Sequence, residues 1–451
     1  MKIIITNRFY LYDCSPIIRQ ELLNHLTIVN PKHTEAIKAR RKHYHIPKTV
    51  TMFQQHQKGC FSIPRGVENY LNILLDKYAP DAEFDDRTYL EEPGIDFECQ
   101  ITPWEQQFPA IEAGLSTEVN VISLPAGGGK TICALYMIAK RRQPTFILVH
   151  TKELMWQWKD RIKEFLNYNC GLVGDGNFNP KDITVGLIRT TINRAKESDY
   201  AKKFGYLIVD ECHRTSSSTF TQACGLFEPY YLTGLSATPF RKDGLTKFIF
   251  FSLGDLVYKL DKKEMIKQGK VLKPTIIKRQ TNLFFGESEN KLTYAELFNK
   301  VKNSEIRNQI IVEDVSKQLK KNYVCCLVLS DHSQHLKKFQ DLFDFIGTEY
   351  HLLTGSLSKL IRKKTVEQLI QKKVQILLAT NSLIGEGFDF SGFTDMFLTS
   401  PIASEGRLEQ ILGRGTRVEK GKKNVNIFDY VDQDPVFQSQ WRKRKKFYET
   451  Y

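Results

Sequence analysis

Residues 118–142 read EVNVISLPAGGGKTICALYMIAKRR. A short run of β-formers comes first, then a loop of small residues, then Ile132, Leu135, Tyr136 and Ile138 at helical spacing, so the order is strand, glycine loop, helix. Gly127, Gly128 and Gly129 let the backbone turn its N–H groups inward, and a helix opening near Lys130 adds the positive end of its dipole. Such a loop, lined also by Ala126, cradles phosphate. Lys130 is placed to reach the β and γ phosphates of a nucleotide as a point charge, and the Thr131 hydroxyl to hold a magnesium ion. The full pattern asks for glycine where Leu124 stands, so the loop alone leaves a plain β-to-α turn open.

Its partner is FGYLIVDECHRTSS, residues 204–217. The apolar run Tyr206–Val209 ends in two carboxylates, as a buried parallel strand delivers acids to its C-terminal edge. Asp210 is the expected magnesium ligand, direct or through water, and Glu211 the group that orients and activates the attacking water. The alternative is a helix-capping acid pair. The runs TFILVH (145–150) and ITVGLI (183–188) read as further buried strands, each followed by a helical pattern whose N-terminus can face a phosphate. YYLTGLSATP (230–239) sets Ser236 and Thr238 at a strand end, where hydroxyls relay the state of the γ phosphate or simply cap a turn.

A second α/β unit is expected after the charge-rich linker DKKEMIKQGKVLKPTIIKRQ (261–280). YVCCLVLS, TEYHLLTG, VQILLATN and TDMFLTS are its β-like runs, and SKLIRKKTVEQLIQKK is a helical one. It has no glycine-Lys-Thr loop. What it offers is QILGRGTR (410–417), in which Arg414 and Arg417 fall about one helical turn apart and so face one side. Guanidinium groups there can neutralise charge developing at a γ phosphate; a surface helix with salt-bridged arginines is the alternative.

This order of motifs resembles a superfamily 2 helicase or translocase over roughly residues 100–432, with GLSATPFRKDG (234–244) in the form of the RecG, UvsW and XPB groups. DECH looks like that superfamily's second motif. The resemblance implies two tandem RecA-like parallel-sheet domains preceded by a small N-terminal α+β domain, with boundaries at 1–92, 93–255 and 256–451. It implies an ATP- and Mg2+-dependent enzyme with Lys130, Asp210, Glu211, Gln410, Arg414 and Arg417 as its catalytic set. FILVHTKELMWQW and VGLIRTTINR look like the motifs that grip a strand's phosphates, which selects Thr151, Thr190 and Thr191. CCLVLSDHSQHL, LLTG and ATNSLIGEGFDFSG look like later motifs and offer Ser330, Thr354, Gly355 and Thr380 to nucleic acid, and Gly387 and Asp389 to the nucleotide. In ITPWEQQFPAIEAG, Glu105 follows Trp104 where the adenine-reading glutamine often stands, so Gln106 or Gln107 takes that role.

An ATP site split between two domains closes on binding and opens on product release, which makes stepping along a strand the expected use of hydrolysis. The implied activity is unwinding or branch migration of forked and branched DNA in replication, recombination or repair. Duplex translocation without strand separation, RNA unwinding, and a nucleotide-switched binding protein are the rivals. Phage helicases carry an N-terminal block with a similar IPRG segment. Here that block is basic at Lys38, Arg40, Arg41 and Lys42, and reads as a nucleic-acid-binding domain or a structural cap.

Composition fits this picture. A chain of 451 residues makes two or three domains the prior. A net charge of +14 favours a polyanionic partner. No apolar run approaches the roughly 18 residues of a membrane span, and the broken MKIIITNRFYLYD start reads as a strand rather than a signal. Nine cysteines without a CxxC pair suggest no disulfide framework or metal site and a reducing, cytoplasmic setting, the host's if the chain is phage-encoded. The C-terminal WRKRKKFYETY is either a solvated helix end or a strand-tracking arm.

Overall fold

The computed structural model describes residues 1–38, 42–57, 59–213, 217–237, 244–284, 292–321, 324–355, 359–371, 374–381, 390–402, 404–419 and 421–451. The chain divides into two units: Met1–Leu124 with Gly128–Leu260, and Asp261–Tyr451 with Pro125–Gly127.

The first unit holds two main sheets. Its large sheet is built from β8 (Val119–Ser123), β9 (Thr145–Val149), β10 (Gly171–Gly174), β11 (Asn177–Phe178), β12 (Ile183–Leu187), β13 (Tyr206–Val209), β14 (Tyr231–Ser236) and β15 (Asp255–Lys259). The order is β11-β10-β12-β9-β13-β14-β8-β15, parallel throughout except for the β10–β11 pair. Every residue of β9 and β13 is buried, because helices cover both faces of a parallel sheet and leave no face for polar alternation. The strand runs therefore end together at one carboxyl edge, with the glycine loop after β8, Asp210 after β13 and Ser236 closing β14.

The smaller N-terminal sheet comprises β1 (Lys2–Ile5), β2 (Arg8–Tyr12), β5 (Gln54–Gln55), β6 (Phe61–Pro64) and β7 (Glu83–Asp86), in the order β5-β6-β2-β1-β7. A separate pair, β3 (Thr27–Val29) and β4 (Thr49–Thr51), flanks it. The helices Pro16–Leu26 and Glu68–Tyr78 contribute Ile18, Leu22, Leu71 and Leu74 to its core. That core also contains Leu245, Phe248 and Phe251, from the segment around the helix Thr246–Leu253. The N-terminal block is thus built onto the first unit through shared apolar packing.

The second unit has a six-stranded, all-parallel sheet of β16 (Pro274–Gln280), β17 (Cys326–Ser330), β18 (His351–Leu353), β19 (Ile376–Thr380), β20 (Asp395–Leu398) and β21 (Val425–Val431), ordered β16-β21-β20-β17-β19-β18. The expected four strands are all present. The charge-rich stretch read as a linker is not one: it contains the helix Lys262–Lys267 and the edge strand β16, which pairs with β21 over seven residues. Pro274 opens that strand, a position where a missing N–H costs the ladder nothing.

The C-terminal segment departs from both readings given above. It is a buried-faced helix, Pro435–Tyr448, whose Arg444 makes a two-pronged ion pair with Asp429 of β21 at 2.7 and 2.8 Å. Tyr448 donates to the same carboxylate at 2.7 Å, and Phe447 and Tyr451 are buried beside it. All nine cysteines are free, and no helix among the described residues is long and apolar enough to cross a membrane.

Candidate active site

The glycine loop joins β8 to the helix Lys130–Arg141, with Gly129 as its N-cap. Gly127 (φ 85°) and Gly129 (φ 81°) occupy the left-handed region that disfavours any side chain. Leu124, standing where a glycine was wanted, is fully buried, and its N–H continues the β8–β14 ladder by donating to Ser236 O at 3.0 Å. At that position the chain still behaves as strand, so it needs no glycine.

Lys130 Nζ donates to Leu124 O at 3.2 Å and stands 3.6 Å from Glu211 Oε1. Glu211 is a non-glycine residue at φ 49°, a conformation that costs on the order of 1–2 kcal/mol. It directs the carboxylate to lysine on one side and to His213 on the other, whose Nδ1 lies 3.3 Å from Glu211 Oε2 and 2.8 Å from Ser236 Oγ. A polar chain Lys130–Glu211–His213–Ser236 therefore joins the ends of β8, β13 and β14.

Asp210 is buried, and each of its oxygens is held by a donor. The Glu211 N–H reaches Oδ1 at 2.9 Å, and the Trp158 indole N–H reaches Oδ2 at 2.9 Å. Burial, reinforced by the neighbouring Glu211 charge, pushes the Asp210 carboxyl up to about 6, while the Trp158 bond and Lys130 pull the other way. Trp158 was not singled out from the sequence. In the helix Lys152–Leu166 it shares apolar spacing with Met155 and Ile162, so it reads as core, and its acceptor lies 52 residues on.

Of the two candidate glutamines, Gln107 packs against the loop: a side chain at Gly129 would meet its Nε2 at 2.0 Å. Its Oε1 accepts from Trp104 N at 2.9 Å, which fixes the amide. Gln106 is half-buried and its Oε1 has no partner among the described residues.

The strand-contact candidates separate by exposure. Thr151 caps its helix, accepting from Leu154 N at 3.3 Å, and Thr190 is half-exposed on the helix Ile188–Arg194. Thr191 is completely buried in that helix, so a strand cannot reach its hydroxyl. Ser330 is likewise buried, bonded to His335 Nδ1 at 2.9 Å and Ser400 Oγ at 3.1 Å, and belongs to an internal network rather than a phosphate grip. Thr354 and Thr380, at the ends of β18 and β19, keep 8% and 9% exposure where Thr191 and Ser330 have none, and Gly355 is exposed. Thr238, Gly387 and Asp389 lie outside the described residues.

In the second unit, Gln410 and Arg414 fall on the helix Glu405–Gly415, one turn apart. Arg417 does not share that face. Thr416 closes the helix by donating its N–H to Leu412 O at 2.8 Å, and Arg417 pairs with Val271 in an isolated antiparallel bridge. The same helix buries Glu409, paired with Lys262 Nζ at 2.6 Å, an ion pair that the sequence reading overlooked.

Residues 100–241 match the family described as "Type III restriction enzyme, res subunit", and residues 302–419 match "Helicase conserved C-terminal domain". The chain is a superfamily 2 helicase-like protein. Its relatives include "DNA 3'-5' translocase XPB2" of Sulfurisphaera tokodaii, 35% identical over 161 residues, which are 36% of this chain and 36% of that protein. "Putative helicase 161L" of Invertebrate iridescent virus 6 is 28% identical over 73% of this chain and 76% of its own length. The helicase-like chain thus spans about a third of the first relative and about three quarters of the second. A fragment of an HsdR subunit of a type I restriction enzyme from Vibrio vulnificus shares the fold, at 18% identity and TM-score 0.56 over 74% of this chain and 70% of that one.

The two matched domains make this helicase-like protein an ATP-hydrolysing enzyme of the nucleic-acid helicase and translocase class. They imply ATP with Mg2+, and the residues fit that pair. Gly127 and Gly129 in left-handed geometry open a cradle, the helix N-terminus follows, and a buried carboxyl at Asp210 lacks a full counter-charge. Lys130, Thr131 and the glycines would hold the phosphates, and Thr131 with Asp210 the metal. Bound there, Mg2+ would supply counter-charge for phosphoryl transfer to water. Glu211, held between Lys130 and His213, would be the group of this chain to take that water's proton.

Proposed function

We propose that this protein is a DNA-stimulated ATPase that unwinds or branch-migrates forked and branched DNA, in the manner of the UvsW, RecG and XPB groups. The observation that carries the reading is the chain Lys130–Glu211–His213–Ser236, which ties the water-activating carboxylate to the strand end opening the GLSATPFRKDG motif. The +14 charge and the similarity to a protein named a DNA translocase favour DNA as the track. Thr151, Thr190, Thr354, Gly355 and Thr380 are the assigned strand contacts, Gln107 reads adenine, and Arg414 and Arg417 serve hydrolysis.

Hydrolysis by the purified chain is expected to rise strongly when DNA is added, and Lys130→Ala or Glu211→Gln to lower kcat by about 10²-fold or more. Turnover indifferent to nucleic acid overturns the motor reading. Unwinding measured side by side on forked DNA, four-way DNA and an RNA duplex tests the substrate. Activity confined to RNA overturns the DNA assignment, and ATP-driven displacement of a bound third strand without unwinding replaces helicase by duplex translocase.

A further inference from the structure

The first unit holds a cavity of about 570 Å³, lined by none of the ATP-site residues. The N-terminal sheet forms one wall, and Leu207, Leu232 and Phe248 of the motor core form the other. Among the described residues its lining includes two arginines, Arg8 and Arg65, and no Asp or Glu. Both arginines are more than nine-tenths buried, at 8% and 3% exposure.

Four other buried arginines have a counter-charge or a ring. Arg307 pairs with Asp432 at 2.8 Å, Arg444 with Asp429 at 2.7 Å, Arg65 approaches Glu118 at 4.0 Å, and Arg141 lies 3.7 Å from the centre of the Tyr231 ring. Arg8 differs. Its Nε donates to Ser62 Oγ at 2.9 Å, and its Nη2 to Met52 O at 2.5 Å and Ser62 O at 3.1 Å, all neutral acceptors. Among the described residues Nη1 makes no hydrogen bond and no carboxylate faces the group. Burial draws the guanidinium down to about 10, with only the Tyr10 hydroxyl acting against it. A buried cation without an anion is costly, and a cavity beside it is where the anion can come from.

The geometry points to a binding site for a small organic oxyanion, headed by phosphate or carboxylate, whose charge is met by Arg8 and whose apolar remainder lies against Val50, Leu232 and Phe248. The volume falls in the usual range of small-molecule pockets, roughly 300–1,000 Å³. Thr51 and Gln222 add polar groups to the lining. Because the ligand touches both walls, its binding fastens the N-terminal block to the motor core, and that core leads into the ATP site through β13 and β14.

Thermal unfolding of the full-length chain in rising inorganic phosphate, and separately in rising acetate, at ionic strength held constant with chloride, tests this. The midpoint is expected to rise with at least one anion in the unaltered protein and in Lys130→Ala, which weakens the glycine loop. Which anion acts distinguishes a phosphate-headed from a carboxylate-headed ligand. Arg8→Met is expected to raise the half-saturating concentration about tenfold or more, and Arg8→Lys to retain part of the effect. Should Arg8→Met fail to fold, Val50→Trp, which keeps the charge and fills the cavity, is expected to abolish the shift. No shift with either anion, or a shift lost in Lys130→Ala and kept in Arg8→Met and Val50→Trp, overturns the site.

Discussion

Trp158 holds Asp210 from a helix whose first turn is capped by Thr151, so a proposed strand contact and the donor that holds the proposed metal ligand share one helix. Trp158→Phe keeps the ring's packing and removes the N–H. The Mg2+ needed for half-maximal ADP binding is expected to rise about 10- to 100-fold, while ADP affinity without Mg2+ stays unchanged; calorimetric titration separates the two. A loss in both would mean general damage. The strand–glycine loop–helix and the acid pair at a strand end were legible in the sequence because their spacing is local. The indole bond was not, since hydrogen-bond partners across a fold leave no spacing signal, and Thr191 and Ser330 show the converse, as hydroxyls in motif positions that packing turned inward. His335 makes a related point. Fully buried, it bridges Ser330 Oγ at 2.9 Å and Asn308 Oδ1 at 3.0 Å, and burial, aided by the nearby Arg307 charge, lowers it to about 3. The native state therefore refuses a proton that the unfolded chain accepts below about 6.5. Stability is expected to fall by about 2 kcal/mol from pH 7 to pH 5 and to keep falling toward pH 3. Urea unfolding checks this, and His335→Gln should flatten that part of the curve.

At the scale of elements, central strands were readable and edges were not. β17, β19 and β20 are mostly apolar and buried at every residue because they are covered on both faces. β16 sits at an edge, where exposed Lys278 and Gln280 are tolerated, so it looked like a charged linker. The C-terminal helix misled in the same way: its Arg and Lys run suggested solvent, yet Arg444 points inward. Arg444→Ala leaves Asp429 buried without its guanidinium, and is expected to cost about 3–5 kcal/mol, seen as a lowered denaturation midpoint. Replacing a neighbour in the same run, the exposed Lys443, should change little.

For the whole molecule, the N-terminal block is the part whose role the sequence left most open, and packing now constrains how it can be tested. Deleting residues 1–92 exposes Leu245, Phe248 and Phe251, each worth roughly 1.5–3 kcal/mol of burial. The truncated chain is expected to melt earlier and to bind an apolar dye, and an unchanged midpoint in calorimetry would refute this. Loss of DNA binding after such a deletion therefore says little about direct contact. The same architecture constrains synthesis. Arg65 donates to Pro229 O and Tyr230 O, partners 164 and 165 residues further along, and the core of the N-terminal sheet waits for Phe248 and Phe251. At roughly 5–20 residues per second, the first ninety residues stand outside the ribosome on the order of ten seconds before those partners emerge. Through that interval their apolar face is open to solvent, and it is a surface for a chaperone to hold.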